Sequence, residues 1–162
     1  MSSVENQLTT IGASRHPRLF CGRCGRSPEP NEPARPTRVC PRCGMGLLLS
    51  AAAELAPTRD DPFLVIDGAL TIRAVSEGAE LLLGITETDA VNQHVLDYVV
   101  PADAPRAGPE NLGAFLTRAA AGDPTVRDVV VRPRDELGVR FWARVGVCGP
   151  PTAALLVLAT AG

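Results

Sequence analysis

Cys21-Gly22-Arg23-Cys24-Gly25 and Cys40-Pro41-Arg42-Cys43-Gly44 repeat one pattern, with fifteen residues from Gly25 to Val39 between the inner cysteines. Two C-x-x-C pairs at that spacing describe a four-thiolate metal site. Each pair offers two sulfurs from one tight turn, and two facing turns complete a tetrahedron. The glycine after each pair suits a sharp turn that aims N–H groups back at sulfur. Structural zinc is the expected ion, held by Cys21, Cys24, Cys40 and Cys43, with iron as the rival metal. Two disulfides or four free thiols are the alternative without a metal. Four protein ligands leave tetrahedral zinc no open position, so this region is not read as catalytic.

Working outward, Leu19-Phe20 precedes the first turn, Val39 the second, and Leu47-Leu48-Leu49 follows it. The order reads strand, turn, strand, turn, strand. Together with the C-G-R-C-G and C-P-R-C-G sequences it resembles a zinc ribbon over about residues 16 to 50. The segment from Ser27 to Thr37 holds Pro28, Pro30, Pro33 and Pro36 and reads as an irregular loop. A module this small buries too little apolar surface to fold alone, so metal binding is expected to supply much of its stability. Residues 1–15 are expected to be a flexible N-terminus. They lack the basic start and apolar run of a signal peptide, which points to a reducing cytoplasm where disulfides are rare.

Arg23 and Arg42 occupy equivalent places in the two turns. Near four thiolates and one zinc ion they would offset a net charge of −2. The sharper reading makes them contacts to phosphate or an acidic partner.

The chain has 162 residues, 45% of them apolar, enough for one ordinary domain and a small module. No run of eighteen apolar residues occurs, so no membrane partner is expected. All sixteen basic residues other than histidine are arginine, in keeping with a GC-rich bacterial coding sequence. Residues 1–50 carry seven arginines against three glutamates, and residues 51–162 carry nine against fifteen carboxylates. The sign change falls near residues 51–60, read as a linker.

Beyond the linker, Phe63–Ile66 is a short β-type run ended by Asp67-Gly68, and Leu70–Val75 alternates as a returning strand. Ser76 to Gly84 has helical spacing with a capping serine and a closing glycine. Shorter helical pieces are predicted at Thr86–Val91 and His94–Val99, and the longest helix at Pro109–Ala121. Thr125–Arg132, Leu137–Cys148 and Ala153–Ala159 read as strands. This order predicts an α+β domain with an antiparallel sheet.

The segments D-P-F-L-V-I-D-G-A-L-T-I-R-A-V-S-E-G-A-E-L-L-L-G-I-T (Asp61–Thr86) and V-L-D-Y-V-V-P-A-D-A (Val95–Ala104) resemble a PAS domain. Asp67, Gly68, Leu83-Gly84 and Pro101-x-Asp103 occupy the family's places, over residues 61–162. The resemblance implies a PAS-like five-stranded antiparallel sheet with helices on one face, beside the small zinc ribbon. It further implies ligand sensing or protein contact, including a homodimer through the sheet, with output passed to an unknown protein partner. A ligand pocket would be lined by Leu82, Leu96, Phe115 and Phe141. No flavin is expected, because Gln93–Tyr98 lacks the reactive cysteine of the photoactive members. No haem is expected, because Pro109–Ala121 lacks an axial histidine; His94 is read as capping a helix or facing solvent.

Alternation places Trp142 between Arg140 and Arg144 on the face turned away from the helices. That reads either as an interface hot spot or as a patch covered by the cysteine module or the 50–61 connector. Cys148 lies on the same face, outside the metal set. The chain has no nucleophile elbow or phosphate loop and is not read as an enzyme. The functional expectation is a bacterial regulatory or sensory protein with the ribbon as contact module. The rivals are a transcription-associated protein whose ribbon touches nucleic acid or polymerase through Arg18, Arg23, Arg26, Arg38 and Arg42, and a rubredoxin-like electron carrier.

Overall fold

The computed structural model describes residues 16–29, 37–102 and 111–159. Most of the Pro-rich segment, Asp103 and Pro109 lie outside them, as does the expected flexible N-terminus.

Among the described residues, eight strands form one antiparallel sheet. β1 (Pro17–Cys21) and β2 (Leu48–Ala52) come from the cysteine-bearing region. β3 (Phe63–Ile66) and β4 (Ile72–Val75) form a hairpin, turned by Asp67, whose side chain accepts the N–H groups of Ala69 and Thr71. β5 (Val99–Pro101), β6 (Arg127–Pro133), β7 (Phe141–Gly149) and β8 (Ala153–Ala159) complete the set. The main path runs β1-β2-β7-β8-β3-β4, while β5 and β6 branch from β7.

β7 is the spine. β8 pairs along one edge from Trp142 to Cys148. The other edge is shared: β6 takes Phe141 to Val145, and β2 takes Cys148 and Gly149. A nine-residue strand has backbone groups to spare beyond β6, and β2 uses them.

Among the described residues, three short helices lie among the strands. α1 (Glu77–Leu83) starts on Ser76, whose Oγ accepts the N–H of Ala79 at 3.0 Å and that of Phe63 at 2.8 Å. Gly84 ends it in the left-handed conformation. α2 (Glu87–Ala90) is capped by Thr86, and His94 caps the 3-10 turn Val95–Asp97, its Nδ1 accepting the Leu96 N–H. α3 (Leu112–Ala120) starts on Asn111.

The expected PAS-like five-stranded sheet with helices on one face, set beside a separate zinc ribbon, is overturned. Among the described residues the sheet has eight strands, and the α-helices have only seven, four and nine residues. Two physical causes account for the difference. The ribbon's strands satisfy their edge by joining β7 instead of standing apart, and Val99, read as the end of a helical piece, opens β5 (Val99–Pro101), which pairs with β6. Caps close each helix after one to three turns.

Two apolar cores follow from strand alternation. Leu64, Ile66, Ala143, Val145, Leu156 and Leu158 join Leu112, Phe115, Leu116 and Ala119 of α3 in the larger. Phe63, Val65, Cys148 and Leu155 point the other way and meet Phe20, Leu49, Ala51, Leu55 and Ala56. Phe20 and Phe63 pack edge to face with centroids 5.5 Å apart. The region read as a linker therefore supplies the end of β2 and the buried residues Leu55, Ala56 and Pro57. Leu116 is fully buried, and Leu116→Ala is expected to cost about 3 kcal/mol through the cavity it leaves. Urea unfolding monitored by circular dichroism measures that loss.

Candidate metal centre

Each cysteine pair is held by its own backbone. The first turn leaves β1 at Cys21, whose Sγ accepts the N–H groups of Arg23 at 3.3 Å and Cys24 at 3.4 Å. The second repeats this: Cys40 Sγ accepts from Arg42 and Cys43 Sγ from Gly46, both at 3.4 Å. The Gly25 and Gly44 N–H groups close the two turns on the carbonyls of Cys21 and Cys40, each at 3.0 Å. Both glycines have positive φ, +75° and +69°. A single bridge, Val39 to Leu47, stands where a middle strand was read.

The four Sγ atoms lie within 4.8 Å of one another. Cys21 Sγ is 3.6 Å from Cys43 Sγ, and Cys24 Sγ is 3.9 Å from Cys40 Sγ. Tetrahedral thiolates around one zinc ion stand about 3.8 Å apart, as metal–sulfur bonds of ~2.3 Å require. The donor chemistry and spacing therefore fit a metal ion such as zinc or iron. None of the four is in a disulfide. Cys21, Cys24 and Cys40 are buried, and Cys43 is half-buried.

Burial raises the Cys21 and Cys24 thiols, against the lowering effect of the N–H groups aimed at them. Burial also opposes ionisation of Cys43, but the N–H groups of Gly46 and Met45 and the neighbouring thiols outweigh it and bring it to about 7. A bound cation replaces those protons. Gly46 is needed for close approach: a Cβ there would stand 2.3 Å from Cys21 Sγ and 2.7 Å from Arg23 Cβ.

Arg23 turns away from the sulfurs toward α1. Its guanidinium pairs with Glu80 at 2.7 Å and Glu87 at 3.8 Å, and donates to the Val75 carbonyl at 3.1 Å. Its own carbonyl accepts the Glu77 N–H at 3.0 Å. Arg23 thus fastens the first cysteine turn to α1. The acidic partners Glu80 and Glu87 were not singled out in the sequence, because nothing local links them to Cys21. Arg42 pairs with Glu29 at 2.6 Å on the surface. Arg18 donates to the Ala56 and Pro57 carbonyls, and Arg38 to those of Leu48 and Pro150.

The other sequence-derived positions are dispersed. Phe115 and Phe141 belong to the larger core, and Leu82 and Leu96 pack against it. Trp142 stays 61% exposed, since the cover over that face reaches Cys148 and Leu155 but not the far end of β7. Arg144 beside it contacts the Glu54 carbonyl and Asp128, and Arg140 is exposed.

Cys148 is buried, and burial raises its thiol to about 12. A neutral, covered thiol does not alkylate. At pH 8 the native metal-loaded chain should show no reaction of Cys148 with iodoacetamide, and full reaction in guanidinium, as read by peptide mass spectrometry.

No helix among the described residues is long and apolar enough to cross a membrane. No protein-family model matches the chain and no curated protein matches it, so the fold and the four-cysteine cluster stand without support from a relative, the PAS resemblance included.

Proposed function

We propose that this chain is a non-catalytic regulatory protein in which a structural zinc ion fastens an arginine-bearing module to a β-sheet body, the joined surface serving for contact with a partner. The observation that carries this reading is the four-sulfur cluster, with every cysteine turn closed by its own backbone N–H groups. Four thiolates leave tetrahedral zinc no open position, which supports a structural ion over a catalytic one. Reduced, unpaired cysteines suit a reducing compartment. Arg23 with its two glutamates supports the fastening role, since it ties the metal turn to α1.

Native mass spectrometry on protein purified without added metal tests this. One zinc per chain and a colourless solution are expected. Visible charge-transfer absorption would replace zinc by iron and favour electron transfer. A chain that arrives with no metal, and gains no stability when zinc is added, ends the proposal.

A further inference from the structure

Five arginines of the cysteine-bearing module were candidate contacts, and the fold sorts them. Arg18, Arg23, Arg38 and Arg42 are each engaged within the chain. For Arg26 no such partner occurs among the described residues, and Arg59, from the segment before β3, is alike. These two come together. Two cavities of about 410 Å³ each open between the cysteine turns and the 58–60 segment, and Arg26, Arg42 and Arg59 line both.

The first cavity adds Arg18 and Glu29, four guanidiniums against one carboxylate. Glu29 is already paired with Arg42. Among the described residues Arg18 has only neutral carbonyl acceptors, so no carboxylate there offsets its charge, and its Nε is buried without a partner. The second cavity is closer to balance, since Asp60 and Glu77 share its walls. Positive charge therefore gathers in the first. Like charges held together in one cleft favour an anion carrying more than one charge. A phosphate monoester carries ~2 negative charges and successive backbone phosphodiesters one each, and both match the planar guanidinium fork.

We infer that the cleft of Arg18, Arg26 and Arg59 binds a phosphate-bearing ligand, either a free nucleotide or a stretch of nucleic-acid backbone. The inference rests on the folded shape of the cysteine-bearing module, whose Cys24 and Cys43 help to wall the adjoining cavity, and not on which ion or whether an ion holds that shape.

The test is fluorescence anisotropy of a labelled single-stranded ten-nucleotide DNA with the metal-loaded full chain, at several salt concentrations. Competition by ADP and by polyglutamate forms the other two arms. Expected is affinity that falls with salt, and a Kd at least about tenfold weaker in the Arg26→Ala/Arg59→Ala variant. Its salt dependence should also be shallower by about 1 in log–log slope. Arg59→Glu, a reversal at an exposed position, should weaken binding further than Arg59→Ala. Competition by ADP identifies a nucleotide ligand, and binding of DNA alone identifies backbone; either supports the cleft. Absence of binding to both, an unchanged Kd in the double variant, or equal competition by polyglutamate overturns it. Zinc content is measured on every sample. Equal zinc with lost binding locates the effect at the arginines, whereas a metal-free wild type that binds normally removes the zinc reading and leaves this one.

Discussion

Cys21→Ser should abolish metal retention and release the module that the metal organises. Cys21 ends β1, is fully buried, and its sulfur accepts two N–H groups while facing Cys43. A serine oxygen is shorter and a poor zinc ligand, so the remaining thiols lose the fourth corner. Structural zinc contributes on the order of 10 kcal/mol to isolated modules of this kind. Here the loss is smaller, because β2 also pairs with β7 and Phe20 packs on Phe63. A destabilisation of about 4 kcal/mol or more is expected. Limited proteolysis should then cut within residues 16–52 while the larger core resists. A chelator should reproduce this in the wild type and added zinc reverse it. Retention of stability and of the protease pattern by the variant would falsify the fastening role.

Arg23→Ala is the second large effect. It removes the cation facing Glu80 and Glu87 and the donor to the Val75 carbonyl. The Arg23 and Glu80 side chains are 19% and 21% exposed, so water offsets part of the loss. A cost of about 2 kcal/mol is expected, with a coupling of about 1 kcal/mol between Arg23→Ala and Glu80→Ala in a double-mutant cycle. The pair also predicts a pH dependence. The Glu87 N–H lowers the Glu80 carboxyl below its usual 4.5, burial opposes this, and Arg23 lowers it further. A depressed folded-state pKa gives stability that is present above 4.5 and lost as pH falls through the folded value. Urea midpoints from pH 7 to pH 3 should fall in the wild type more steeply than in Glu80→Gln. Zinc content must be followed alongside, since thiol protonation releases metal in acid. Parallel curves for the two proteins would remove the carboxylate from the account.

Local features were legible wherever a residue's chemistry acts on its own neighbours. Ser76, Thr86 and His94 cap as their side chains dictate, and the Asp67 turn forms between β3 and β4. Alternation along Phe141–Val145 separates buried from exposed side chains as read, leaving Trp142 outward. Legibility failed where backbone edges chose partners. The face carrying Trp142 and Cys148 was open to two readings, an interface or a patch under the cysteine module or the connector; β1, β2 and Leu55 cover its Cys148 and Leu155 end, while Trp142 stays exposed. Strand–helix order, read as a family resemblance, could not reveal that β2 would continue the sheet.

The cysteine spacing alone determined that four sulfurs would meet, because two tight turns with glycine behind them have few other conformations open to them. Folding alone decided where that cluster sits, which arginines it consumes and which it leaves facing a cleft. Those outcomes depend on Glu80, Glu87, Arg59 and the free half of β7, groups far away in the chain whose pairing is set by burial and edge hydrogen bonding rather than by any neighbour in sequence.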